Sequence, residues 1–293
     1  MEINLPDDKE FALCLTHDVD RPFKTYQGLY YGVKELDPYH IKSIFSKDRP
    51  YWQFDKIMEL EEELGVRSSF YFLNEQNLFR DKSTKDWFKL KNWKLYTGRY
   101  DIENPEIKRV IRKLDENGWD VGLHGSYDSY LDVDRLRYEK KVLEDIIGHE
   151  VIGIRQHYLN LKKPDIWENH KEVGLKYDSS LGSSEEYGFH YGDKVKFPLD
   201  DDFAVFPLTI MDSALMDGTA SLEEAWDDCE RLLKQAKKRN AIMTILWHPR
   251  MFNEREFPGY TKIYRKIIER AQKMDALIGS IDKVLRHIKD KSF

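Results

Sequence analysis

Residue types that do hydrolytic chemistry crowd the end of one short apolar run. Residues 11–15 read as a buried strand, and Thr16-His17-Asp18-Val19-Asp20 follows at once. Two carboxylates and an imidazole are costly to bury and gain nothing from exposure, so a metal or catalytic site built where the strand runs out is the economical explanation. The same ending recurs along the chain. A strand from 119 finishes at Leu123-His124-Gly125, one over 151–154 at Arg155-Gln156-His157-Tyr158, and a short one over 175–178 on Asp178. Residues 204–210 run into Met211-Asp212, and 241–246, the most apolar run, into Trp247-His248-Pro249-Arg250. Active sites of α/β barrels and open α/β sheets collect outside the C-terminal ends of strands. One histidine there reads as an ordinary hydrogen-bonded structural residue. Six coincidences of position and chemistry read as an active site.

Asp, His and a third N or O donor around an open position make a hydrolytic metal site. His124 and Asp128 are four residues apart and share a face if the chain turns helical after the strand, whereas His157 reaches in from the neighbouring strand end. Either completes a set with Asp20. A carboxylate the metal does not need can serve as general base, and a histidine across the pocket as general acid. Arg155 would keep such a carboxylate ionised and oriented. For Asp178 and Asp212, hydrogen bonding to loop amides at a strand end and contact with substrate both stay open.

The elements that must position these residues alternate. Helices are expected over 53–64, from Asn104-Pro105 to Gly118, over 133–147 ending at Gly148, from about 164 to Gly174, and from the capping box Ser221-Leu222-Glu223-Glu224 to about 239. One or two helices and a last strand at 276–278 fill the tail. Strands alternating with helices call for a parallel sheet with helical crossovers, and about seven evenly spaced units favour a closed or nearly closed barrel. The 293 residues suit one β/α barrel, so a single domain over 1–293 is expected, with irregular insertions at 21–52 and 78–100. The first insertion is rich in aromatics. The second carries seven cations against Asp81 and Asp86, with Trp87 and Trp93 among them. It is either a solvated excursion or a lid over an anionic or sugar-like substrate.

A composition 41% hydrophobic and 34% charged describes a soluble globular protein, and a net charge of −6 argues against a nucleic-acid partner, which needs a basic face. The opening residues, Met1 to Asp8, are neither a signal peptide nor a membrane span. Cys14 and Cys229 lie far apart, and Cys14, inside the first strand, reads as a small buried apolar residue. A reduced, cytoplasmic compartment is expected.

Taken in order, Thr16-His17-Asp18-Val19-Asp20, Leu123-His124-Gly125-Ser126-Tyr127, Arg155-Gln156-His157-Tyr158 and Leu246-Trp247-His248 resemble the motifs of the polysaccharide deacetylase family (NodB-homology, carbohydrate esterase 4-like), across roughly residues 11–250. The resemblance implies a distorted (β/α)7 barrel and a divalent metal ion, zinc or another transition metal. It makes Asp18 the general base, Asp20 a metal ligand, and His124 the first histidine of the family's HxxxH pair. Arg155 would buttress the base, the backbone N–H of Tyr158 would help hold the oxyanion, and His248 would protonate the leaving amine. The chain departs from the pattern at two places: Asp128 stands where the second histidine is expected, and His157 where the arginine motif has proline. Three consequences are open: His157 supplies the missing nitrogen, Asp128 ligates and makes a harder site, or the metal site is weakened and the protein binds sugar without turnover. The implied activity is metal-dependent removal of an N-acyl group, acetyl first among them, from an amino sugar or related carbohydrate, such as a cytoplasmic intermediate of surface-polysaccharide assembly. Its rivals are a catalytically degenerate carbohydrate-binding protein and a metal-dependent hydrolase of a small cyclic amide or ureide.

Overall fold

The computed structural model describes residues 5–6, 8–45, 49–161, 165–199 and 202–289. Its sheet is built on β1 (Phe11–Val19), followed by β2 (Ser69–Leu73), β3 (Asp120–Gly125), β4 (Gly153–Gln156), β5 (Tyr177–Asp178), β6 (Ala204–Val205), β7 (Leu208–Met211), β8 (Ile242–Leu246) and β9 (Ala276–Gly279). The strands run in the order β6-β5-β4-β3-β2-β1-β8-β7, all pairs parallel, with β9 also on β1. One edge of β1 is taken by β8. Its other edge is shared, the lower half by β9 (Phe11 opposite Ala276) and the upper half by β2 (Thr16 opposite Ser69). The ends of the path, β6 and β7, are separated in sequence only by Phe206-Pro207, so the sheet curls back on itself as the expected distorted (β/α)7 barrel. The seam is stitched by loop backbone: Phe206 N–H donates to Asp178 O and Leu208 N–H to Leu181 O, each at 2.8 Å.

Strand alternation decides what each side of the barrel holds. Phe11, Leu13 and Leu15 pack outward with Phe70, Phe72 and helix residues such as Ile57 and Ile267. Ala12 and Cys14 belong to a separate inner cluster with Tyr71, Tyr177, Phe206 and Ile242, joined by Ile281 and Leu285 of the last helix. The next two inward rungs of β1 are Thr16 and Asp18, so the interior is apolar low down and polar at the top. Gly122 and Gly153 make room for the two tyrosines: a Cβ there would lie 2.5 Å from the Tyr71 ring and 2.0 Å from Tyr177. Burial pushes the Cys14 thiol up to about 12, which removes it as a nucleophile and agrees with its reading as an apolar residue.

The same alternation sends His17 outward. Its Nδ1 donates to the Trp247 carbonyl (2.5 Å), and its Nε2 lies 3.0 Å from Glu61, which also accepts from Tyr264 at 2.6 Å. The imidazole of the first motif therefore locks helices onto the barrel and takes no part in the cavity.

The expected helices are present as Phe54–Glu63, Pro105–Glu116, Val133–Ile147, Asp165–Glu172 and Leu222–Arg239. Asn104 caps Glu106 N at 2.8 Å, and Ser221 caps Glu224 N at 3.1 Å. The insertions are more ordered than their composition suggests. Residues 21–52 contain helices Tyr26–Lys34 and Pro38–Phe45, and 78–100 contain helix Leu90–Gly98. Among the described residues no helix is long and apolar enough to cross a membrane.

One half-buried acid gives the fold a pH signature. Asp120, at the foot of β3, accepts from Ser69 (2.7 Å) and Tyr177 (2.8 Å), yet burial, with Asp282 nearby, pushes its carboxyl from 3.8 up to about 6. A raised carboxyl stabilises the fold fully below pH 3.8 and loses that contribution as pH climbs through 6. Asp120→Asn, which still accepts both hydroxyl bonds, should flatten the stability profile over that window by up to about 3 kcal/mol. Urea unfolding of both proteins at pH 4.5 and 7 measures it.

Candidate active site

The tops of β1, β3, β4 and β8 open into a cavity of about 550 Å³ whose wall includes Asp18, Asp20, His124, His157, Tyr158 and His248. Asp18 is buried at its base, against Arg155. Arg155 is fully buried, and its Nη1 donates to Asp18 (2.9 Å) and to Thr16 Oγ1 (2.7 Å). Its other nitrogens donate to Ser179 O (2.8 Å) and Ser179 Oγ (2.7 Å). Burial alone would raise the Asp18 carboxyl, but Arg155, with His124 and His248, holds it below the usual carboxylate range.

His248 stands at the opposite electrostatic pole. Asp212 accepts from its Nδ1 at 2.9 Å and from its backbone N–H at 2.5 Å. Burial would lower this histidine, yet Asp212 and Asp20 carry it above its ordinary value. Its Nε2 lies 3.8 Å from Asp20 Oδ1.

Asp20 is half-buried; its Oδ1 is buried with no hydrogen-bond partner among the described residues, while Oδ2 accepts from Arg250 at 3.3 Å. Burial opposes its ionisation, but Arg250 and His248 outweigh that and hold it far below the usual range. His124 gives its Nδ1 to the Arg155 carbonyl (2.8 Å), and His157 faces Glu75 with its Nδ1 (3.2 Å). Both therefore present Nε2 to the cavity, the arrangement a metal-ligating histidine needs. Their rings lie 5.2 Å apart, and burial lowers His124 so that it is neutral and able to ligate. An orphaned carboxylate oxygen and two oriented imidazoles suit a divalent transition metal, although among the described residues no three such side chains already converge into a ligand cluster.

Tyr158 stands beside this set with φ 59, and Leu159 follows at φ 53. Two consecutive non-glycine residues in the left-handed region store strain, a mark of functional turns. The turn puts the half-exposed Tyr158 ring on the cavity wall.

Three residues considered from sequence lie elsewhere. Asp128 does not line the cavity and is paired with Lys82 (2.6 Å) and Lys91 (3.5 Å), whereas His157 lines it beside His124. Asp178 is sealed beneath the site, accepting from Ser180 N (2.9 Å) and Ser180 Oγ (2.7 Å), and so shapes the turn that receives Arg155. Asp212 touches His248 rather than open cavity. Neither aspartate lines the wall as a substrate contact would. Trp87 and Trp93 pack on Phe79, and the aromatic wall is Tyr26, Tyr30, Tyr31 and Tyr158. Sequence reasoning passed over Glu75 and Arg250 as working residues. Glu75 lies two residues past the end of β2 and Arg250 four past the end of β8, close to the strand-end signal that found the others.

No sequence-family model matches the chain, and no curated protein matches it in sequence. Solved structures do match in shape. A provisionally named polysaccharide deacetylase from Mycobacterium smegmatis superposes at TM-score 0.62 with 15% identity, covering 99% of this chain and 94% of that one. Puue allantoinase superposes at 0.66 with 12% identity, covering 98% and 93%. The peptidoglycan deacetylase PdaC from Bacillus subtilis does so at 0.50 with 12% identity, covering 98% and 95%. The likeness is one of fold: the curled parallel sheet and its helices superpose on those of the two deacetylases and the allantoinase.

Proposed function

We propose that the chain is a metal-dependent hydrolase that removes an N-acyl group, acetyl first among them, from an amino sugar or related carbohydrate. The observation that carries this reading is the pair Asp18 and His248: one cavity holds a carboxylate pushed down and an imidazole pushed up, which separates base from acid. Asp20, His124 and His157 would hold the ion, which supplies Lewis-acid polarisation of the acyl carbonyl. Asp18 takes a proton from the attacking water while Arg155 keeps it ionised. The backbone N–H of Tyr158 donates to the oxyanion. His248, oriented by Asp212, returns a proton to the departing amine nitrogen. The named deacetylases among the structural neighbours support the carbohydrate amide as substrate. In this reading the whole chain acts as one catalytic domain carrying both insertions. Two buried thiols without a disulfide suit the reducing cytoplasm, where we place the reaction.

Allantoinase as a neighbour supports a second substrate, a small cyclic ureide, for the same acid–base pair. A 550 Å³ cavity with four tyrosines on its wall favours the larger sugar. The experiment is metal content per chain, beside release of acetate from N-acetylglucosamine and its oligomers and ring opening of allantoin. About one equivalent of zinc or another transition metal is expected, lost in Asp20→Ala and His124→Ala, with release of acetate. Sugar binding without metal or turnover would establish the degenerate binding protein instead, and turnover of allantoin alone the ureide hydrolase.

A further inference from the structure

The mouth of the cavity has two cations to spare. Each carboxylate of the site is matched: Asp18 by Arg155, Asp20 by Arg250, Asp212 by His248 and Glu75 by His157. Arg21 and Lys94 line the same cavity and form no ion pair among the described residues. Four other cations of the second insertion are paired, Lys82 and Lys91 with Asp128, Lys89 with Asp86, and Arg80 with Asp81, and its remaining two, Lys85 and Arg99, do not line the cavity. The two spare cations come from different insertions that are tied together, since Thr25 Oγ1 donates to Thr97 O at 3.0 Å. A Cβ on Gly98 would lie 3.5 Å from the Arg21 guanidinium, and Lys94 sits one turn before Gly98 on the same helix.

A third donor belongs to this wall. Gln27 is 4% exposed and lines the cavity; its Oε1 accepts from Thr25 N at 3.0 Å, while its Nε2 has no acceptor among the described residues. A buried amide donor without a partner is costly unless a ligand supplies the acceptor. Guanidinium, amide NH2 and ammonium together make a wall of donors, in a chain of net charge −6.

We propose that this wall is an anion subsite, and that the substrate is an acylated amino sugar bearing a phosphate ester or a carboxylate held by Arg21 and Lys94, with Gln27 donating alongside. The substrate class rests on the N-acyl hydrolase reading; the subsite itself does not. Charge-assisted hydrogen bonds are about twice as strong as neutral ones, and the planar donor fork of Arg suits two oxygens of either anion. The insertions thus act as a specificity device on a barrel whose chemistry sits deeper.

The test is calorimetric binding to Asp18→Asn protein, whose turnover is expected to be slowed about 10²–10⁴-fold, using N-acetylglucosamine, N-acetylglucosamine 1-phosphate and N-acetylmuramic acid. At least one anionic sugar is expected to bind about 10-fold or more tightly than the neutral one, and Arg21→Gln with Lys94→Gln should erase that preference. Whether phosphate or carboxylate gains more identifies the natural anion. Equal binding of all three sugars, or a preference that survives the double substitution, overturns the subsite. If no sugar binds or is hydrolysed, inorganic phosphate separates the two ideas. Binding of phosphate that depends on Arg21 and Lys94 keeps the subsite and sinks the sugar reading, and its absence sinks both.

Discussion

Asp18→Asn is expected to lower kcat/KM for amide hydrolysis by about 10²–10⁴-fold while leaving the protein folded. The asparagine oxygen still accepts from Arg155, whose remaining bonds to Thr16 and Ser179 are untouched, so the barrel top keeps its geometry. What disappears is the proton acceptor. Unfolding stability should fall by about 3 kcal/mol, because the buried Arg155 guanidinium keeps its hydrogen bonds but loses its counter-charge. The assignment of base and acid can then be divided by leaving group. His248→Gln removes the proton donor, which an amine needs and a nitrophenolate does not. An aryl acetate should therefore recover most of the rate lost in His248→Gln and little of that lost in Asp18→Asn. Equal recovery in both variants would mean that the two residues do not hold opposite roles.

That division is partly legible in the amino-acid sequence. The strand ends point to Asp18, Asp20, His124, Arg155, His157 and His248 because a carboxylate, guanidinium or imidazole after an apolar run is chemically conspicuous. What strand ends cannot reveal is facing. His17 is as conspicuous as Asp18, yet one residue of alternation puts it against Glu61 and Tyr264 among the helices. Asp178 and Asp212 sit at the right height but one layer back, where they orient a turn and a histidine. The choice between Asp128 and His157 depends on how the chain leaves β3: it enters a 3-10 turn at Ser129–Leu131, which leaves Asp128 to the lysines of the second insertion. The helices within the insertions are opaque to pattern reading. They are short and aromatic-rich, and Gly28 packs against His40 and Ile44 through tertiary contact that no periodicity announces.

Arg155→Met should be the most destabilising single change at the site, by about 3–5 kcal/mol. The guanidinium is fully buried and makes four hydrogen bonds, to Thr16, Asp18 and twice to Ser179, while its central carbon lies 4.8 Å from the Tyr71 ring centre. Its loss leaves Asp18 as an unpaired buried charge, and that charge, more than the missing contacts, is what the fold must tolerate. Arg155→Lys should rescue little, because a single ammonium cannot reach Ser179 on one side and Thr16 with Asp18 on the other. The double variant Asp18→Asn with Arg155→Met gives the deciding comparison. With no charge left to strand, it should be more stable than Arg155→Met alone by about 1–3 kcal/mol in urea unfolding, so the coupling energy of the double-mutant cycle exceeds that difference by the cost of Asp18→Asn alone. A double variant no more stable than Arg155→Met would mean that hydrogen bonding to Ser179, and not the ion pair, holds the top of the barrel together. The expected coupling ties catalysis to folding. The arginine that keeps the base ionised also completes the polar rung above Ala12 and Cys14, so the base cannot lose its partner without the barrel losing its upper layer.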